Sequence, residues 1–201
     1  DAQAALFHGL QARFPGVRCV SVRDGGTTFV PQRGYVGMMD PGDHGRPDVL
    51  TFTSEPLTED LVIAGDVSAR LFASTTGTDA DWVVKLIDVY PDTMPGMPGW
   101  GGYQFMVNAD ILRGRYWRSF TTAAPIPANT VTPFTVRLQQ QLYRFRKGHR
   151  LMVQVQSTWF PLYDRNPQVF VPSIFQARAS DYRAQVHRVW HTARFPSHVV
   201  L

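Results

Sequence analysis

A chain of 201 residues, 44% apolar and 18% charged, is long enough for one substantial core, and all-β domains often reach this length as a single unit. The net charge of +4 comes almost wholly from arginine, and the basic run Arg144, Arg146, Lys147 and Arg150 is interleaved with Leu142, Tyr143 and Phe145, as in a half-exposed strand rather than a nucleic-acid face. Charge interrupts every apolar stretch before it could span a bilayer, and the single Cys19 excludes an internal disulfide or a cysteine-rich zinc site, so neither a nucleic-acid nor a membrane partner is expected.

The first residues, DAQAALFHGL, lack the basic end and apolar centre of a secretion signal, as expected of a mature chain or a fragment. Leu6, Phe7, Leu10 and Phe14 share one face of a short helix that Pro15-Gly16 stops. VRCVSVRDGGTTFV, beginning at Val17, reads as two strands around an Asp24-Gly25-Gly26 turn, and the Gly-, Met- and Asp-rich residues 35–45 read as a linker. Residues 1–45 are therefore set apart as an irregular or partly helical extension. Residues 46–201 form the main domain.

From residue 61 to 73, Leu61, Ile63, Val67, Ala69, Leu71 and Ala73 alternate with a face that becomes more polar, predicting a strand that leaves the core and emerges at a sheet edge. DWVVKLIDVY (81–90) alternates again. Further strands are predicted at 103–109, 115–120, 130–138, 149–158 and 185–191, with short helices around 176–183. No helical pattern alternates with the strands, which argues against a doubly wound sheet. The expected architecture is all-β, a jelly-roll sandwich of two antiparallel sheets.

The segment GHRLMVQVQSTWFPLYDRNPQ (148–168) holds His149, Ser157 and Asp164, the residue types of a hydrolytic triad. A nucleophile elbow needs G-x-S-x-G, because that turn brings backbone and side chains very close. None of the nine serines has glycine two positions before or after it, and Ser157 is flanked there by Val155 and Trp159. No catalytic residue is expected. His149 reads as a turn histidine bonded to backbone, and Asp164-Arg165 as a local ion pair or loop anchor, with Asn166 beside them.

Asp79 and Asp81, in GTDADW, with Asp88 further along, have a spacing some calcium-binding loops use, but no Asp/Asn/Gly loop completes a shell. The favoured reading is that Asp79 caps a turn and Asp81 pairs with an arginine. His187 and His191 share a face on either a strand or a helix and permit a ligand pair, without an obvious third ligand. No metal or other cofactor is expected. Trp82, Trp117, Trp159 and Trp190 are assigned to core and interface positions, and Trp100, in a Gly/Pro loop, to the surface.

The ordered series RPDVLTF (46–52), VIAGDVSARLFAST (62–75), TDADWVVKLIDVYPD (78–92), GHRLMVQVQSTWFPLYDRNPQ (148–168) and PSHVVL (196–201), with ILRGRYWRSF (111–120), carries a family resemblance. It resembles the carboxy-terminal domain of the X-Pro dipeptidyl-peptidase and cocaine-esterase class of serine hydrolases. Within that class it is most similar to α-amino acid ester hydrolases and glutaryl-7-aminocephalosporanic acid acylases. The resemblance implies a jelly roll that carries no nucleophile and packs on an α/β-hydrolase domain of the same polypeptide. Dimer or tetramer contacts through the sandwich face are a further expectation, and some relatives suggest a periplasmic or secreted location. Residues 1–45 do not resemble the end of such a hydrolase domain, and His44 lacks the context of its catalytic histidine.

On this resemblance the loop 91–103, offering Met94, Met97, Trp100 and Tyr103, is the candidate cleft wall, and a flexible surface crossover is the equal reading for a loop of this length. Asp79, Asp81, Trp82, Asp88, His149, Arg150, Ser157, Asp164, Arg165 and Asn166 are expected to be structural or interface residues. The competing expectation is a free-standing binding module for carbohydrate or another ligand.

Overall fold

The computed structural model describes residues 17–22 and 49–201. The helix expected at 6–14, the Asp24-Gly25-Gly26 turn and the linker at 35–45 lie outside the described residues. Nine strands are described: β1 (Val17–Val22), β2 (Val49–Thr53), β3 (Leu61–Thr75), β4 (Asp81–Val89), β5 (Gln104–Arg113), β6 (Thr132–Phe145), β7 (Arg150–Gln156), β8 (Gln185–Trp190) and β9 (His198–Val200).

They form two antiparallel sheets. One has the order β1-β8-β3-β6, with β9 also pairing with β3; the other has the order β2-β7-β4-β5. β1 and β2 lie in different sheets, and along the described residues 49–201 the chain changes sheet after β2, β3, β5, β6 and β7, so crossing segments gather at the two ends of a sandwich, as in a jelly roll. One end holds segments 76–80, 114–131 and 157–184; the other holds 54–60, 90–103 and 146–149. β1 falls within the residues that the sequence sets apart, and it pairs with β8 from Val17–Trp190 to Val22–Gln185.

Alternation determines the core. Ile63, Val67, Ala69, Leu71 and Ala73 of β3 face Trp82, Val84 and Leu86 of β4, with Phe134, Val136 and Leu138 of β6 completing the layer. β3 does not emerge at an edge as the alternation predicts. Over its second half, from Ser68 to Thr75, it is paired on both sides, by β6 and by β8 and β9, so its polar face there lies on the solvent side of an interior stretch. One wet face is the ordinary condition of a sandwich sheet, so a polar face alone does not mark an edge. A bulge at Gly65–Val67, with Gly65 at φ 137°, keeps Ile63 and Val67 on the same buried face.

Two elements differ from expectation. Residues 115–120 are not a strand: β5 runs to Arg113, and a 3-10 turn at Gly114–Tyr116 follows. A β-carbon at Gly114 would lie 2.5 Å from the Ala80 carbonyl oxygen, and the Gly114 amide donates to that oxygen at 2.7 Å. This close approach bends the chain out of the sheet. The helical signal near 176–183 resolves into two 3-10 turns, Ile174–Gln176 and Ala179–Asp181.

Candidate functional site

The singled-out residues divide between the two ends of the sandwich. β4 runs from one end to the other, so Asp81 and Asp88 open and close the same strand, roughly 23 Å apart at ~3.3 Å per residue.

At the first end, Asp79 and Arg115 form a buried pair with Nε to Oδ2 at 2.9 Å, and Asp81 and Arg113 pair at 3.1 Å. Asp81 and Arg113 are direct cross-strand partners on β4 and β5. Asn166 donates through Nδ2 to Asp81 Oδ1 at 2.9 Å, and its own Oδ1 accepts from the Gln168 amide at 2.8 Å. Arg113 and Arg115 also donate to the carbonyls of Asp164 and Val171, at 3.2 and 2.7 Å. Two acids, two guanidiniums and one amide thus tie the β3–β4 turn, the end of β5 and segment 164–171 together.

The Ala80 amide donates to Asp79 Oδ1 at 2.9 Å, so Asp79 does cap its turn, while also holding Arg115. Burial pushes the Asp79 carboxyl above its ordinary value, outweighing the neighbouring Arg115. Burial pushes Asp81 up to about 7, against the pull of Arg113 and Asn166. Asp164 contributes its carbonyl, and the Arg165 guanidinium lies 5.3 Å from the Phe160 ring centre and 5.8 Å from that of Tyr182. Trp82 and Ser157 are buried at this end.

At the second end, Asp88 is buried and receives two partners. His149 Nδ1 lies 2.9 Å from Oδ1, and Tyr143 Oη donates to Oδ2 at 2.8 Å. His149 therefore bonds a carboxylate rather than backbone through this nitrogen, because the turn before β7 brings it beside the end of β4. Tyr90 packs on His149 with ring centres 4.5 Å apart and stacks on Trp100 at 6.1 Å; Trp100 meets Tyr103 at 4.7 Å. Burial is the leading cause that raises the Tyr90, Tyr103 and Tyr143 phenols. Arg150 stands nearby and donates to the Ser54 carbonyl at 3.0 Å.

Loop 91–103 is internally bonded. The Tyr90 and Gly102 amides donate to the Tyr103 and Pro91 carbonyls, and Trp100 donates to Met97. Trp100 and Met97 remain 42% and 47% exposed, and Met94 and Tyr103 are half-buried.

The triad letters of segment 148–168 do not meet. His149 precedes β7 and Ser157 follows it, so the strand holds them roughly 25 Å apart, and the His149 ring is on Asp88. His187 is fully buried in the core and His191 lies beyond the end of β8, exposed. Sequence reasoning missed Arg113, Arg115, Tyr90 and Tyr143. D-x-D at the start of one strand and R-x-R at the end of the next were a readable signal, since antiparallel register places them opposite each other.

Comparison with known proteins agrees with this architecture. Cocaine esterase of Rhodococcus sp. (strain MB1 Bresler) is 34% identical over 158 residues, 79% of this chain and 26% of that protein. An α-amino acid ester hydrolase structure superposes with TM-score 0.82 and 44% identity, over 92% of this chain and 32% of that one. An aminopeptidase from a marine sediment archaeon, Thaumarchaeota archaeon, superposes with TM-score 0.76 and 54% identity, over 77% and 25%. The chain spans about a quarter to a third of the length of these relatives. Residues 19–200 match the X-Pro dipeptidyl-peptidase C-terminal non-catalytic domain, and the chain belongs to that family.

Proposed function

We propose that this jelly roll serves a serine-type acyl hydrolase as its non-catalytic module, packing on an α/β-hydrolase domain of the same polypeptide. Loop 91–103 forms one wall of the substrate cleft. The reaction served is attack by an activated serine on an ester or amide carbonyl, followed by resolution of the acyl-enzyme. The module's share of that work is to position and exclude water, not to transfer protons.

The observation that carries this reading is the combination of exposure and rigidity in the loop. Trp100 and Met97 present apolar surface to the outside, yet the loop is held by its own hydrogen bonds and by the Tyr90–Trp100–Tyr103 rings on the buried Asp88–His149 pair. A preformed apolar feature of this kind suits a neighbouring domain or substrate better than it suits water. Asp79, Asp81, Trp82, Ser157, Asp164, Arg165 and Asn166 have a structural role in this reading, as do Asp88, His149 and Arg150.

The test is a chimera in which this chain replaces the corresponding last third of an α-amino acid ester hydrolase. An active chimera is expected, with Trp100→Ala raising KM more than it lowers kcat. If Trp100→Ala and Met97→Ala leave KM, kcat and thermal stability unchanged, loop 91–103 is not a cleft wall. Retention of the isolated chain on immobilised glycans, lost in Trp100→Ala, would instead favour a free-standing binding module.

A further inference from the structure

The charged end of the sandwich opens on a cavity of about 260 Å³ lined by Arg113, Arg115, Tyr116, Pro172, Ser173, Ile174 and Phe175. Its composition is divided. Two arginines line it together with the apolar Ile174 and Phe175, and Phe175 is 78% exposed. The Arg115 side chain is only 4% exposed and that of Arg113 18%. A guanidinium has five N–H donors. The hydrogen bonds described above occupy two on each arginine, Nη1 and Nη2 of Arg113 and Nε and Nη2 of Arg115.

We propose that this cavity is a binding site for a small organic carboxylate with an apolar body, its carboxylate on Arg113 and Arg115 and its body against Ile174 and Phe175. The site lies at the opposite end of the sandwich from loop 91–103, and the proposal does not rest on the cleft-wall reading.

The chemistry favours this class. A planar guanidinium matches a carboxylate in geometry and charge, and here both guanidiniums are held in place by a carboxylate and a carbonyl each. Pre-positioned donors lose little freedom on binding. The volume lies just under the ~300–1,000 Å³ range of drug-sized ligands, so the body is that of a small acid. A neutral ligand of the same shape would gain the apolar contacts only.

The acids behind the arginines supply a linkage. Asp81 faces Asp79 from the β3–β4 turn, Arg113 from β5, Arg115 from the turn after β5, and Asn166 from the crossing segment. Its carboxyl, raised by burial to about 7, is partly protonated near neutrality, leaving a net positive charge among the four ionisable groups. A bound anion raises that affinity for a proton further. For a rise of one unit, binding is about fivefold tighter at pH 6 than at pH 8.

Isothermal titration of the purified chain with 3-phenylpropionate, and with the neutral 3-phenylpropanamide as control, tests the proposal. The acid is expected to bind with Kd on the order of 1 mM, at least tenfold tighter than the amide and tighter at pH 6 than at pH 8. Phe175→Ala, at an exposed position outside the ion pairs, is expected to weaken binding several-fold in a chain with unchanged circular dichroism. Arg113→Gln is expected to remove it. Absence of heat at tens of millimolar acid overturns the proposal, as does equal binding of acid and amide, an affinity that does not rise toward pH 6, or an unchanged affinity in Phe175→Ala.

Discussion

His187 and Asp81 are both buried titratable side chains, and burial acts on them in opposite senses. His187 is fully buried against Trp82, ring centres 5.3 Å apart, and neither ring nitrogen has a hydrogen-bond partner among the described residues. Burial lowers its pKa to about 3, so from about pH 6.5 down to 3 the unfolded chain binds a proton that the folded chain refuses. Stability from this group therefore falls as pH falls. Asp81, raised to about 7, holds in the fold a proton that an unfolded aspartate releases near 3.8, so its contribution falls as pH rises from about 4 to 7. The two slopes oppose each other between about pH 4 and 6.5, each at up to about 1.4 kcal/mol per pH unit. Urea midpoints across pH 4–8 should show His187→Leu gaining relative stability toward acid and Asp81→Asn losing it. Parallel profiles for the two variants would contradict this account. At the same scale, Arg115→Ala leaves Asp79 buried beside a missing cation and is expected to lower stability by about 3–5 kcal/mol, read by urea unfolding.

Among the elements, β4 is the strand on which both ends depend. It is buried on both faces from Asp81 to Asp88, with Trp82, Val84 and Leu86 toward the core and Val83, Lys85 and Ile87 behind them. The Lys85 ammonium lies 5.1 Å from the centre of the Trp159 ring, within range of a cation–π contact. Its partner β5 is an edge strand whose carbonyls would be open to pairing, and side chains close that seam. Gln141 of β6 donates to the Val107 carbonyl at 2.9 Å, and Asn108 of β5 donates to the Gln139 carbonyl. The turn after β5 is set by contact. A methyl group at Gly114 would meet the Ala80 carbonyl and lie 2.6 Å from Ile126 Cδ1, so Gly114→Ala is expected to cost about 1–3 kcal/mol in chemical denaturation. An unchanged midpoint would mean the turn can shift freely, contrary to its packing.

For the whole molecule, the two-ended arrangement separates tasks. One end is a charged knot of crossing segments; the other is an aromatic shelf with exposed Trp100 and Met97. β7 holds His149 and Ser157 at opposite ends, so they cannot share a proton. Incubated with an activated amino-acid ester, the isolated chain is expected to show no turnover. Turnover that Ser157→Ala abolishes would sink the non-catalytic reading for this segment.

The alternation of apolar and polar residues was enough by itself to indicate an all-β sandwich, most of its strands and the buried face of β3, because side-chain direction in a strand has a period of two whatever its partners are; that β4 and β7 also bury their second face, through Val83, Lys85 and Ile87 and through Met152 and Gln154, was not in the pattern. The absence of a nucleophile elbow was likewise a local fact. The arginine partners of Asp79 and Asp81 left a trace in the D-x-D and R-x-R spacing, whereas Asn166 on Asp81 and Tyr143 and His149 on Asp88 come from segments distant in sequence, which no local pattern encodes. The same holds for the turn at Gly114, the interior position of β3 and the placing of His187 among apolar side chains. The tertiary structure decided these, because each depends on what another segment brings within a few ångströms.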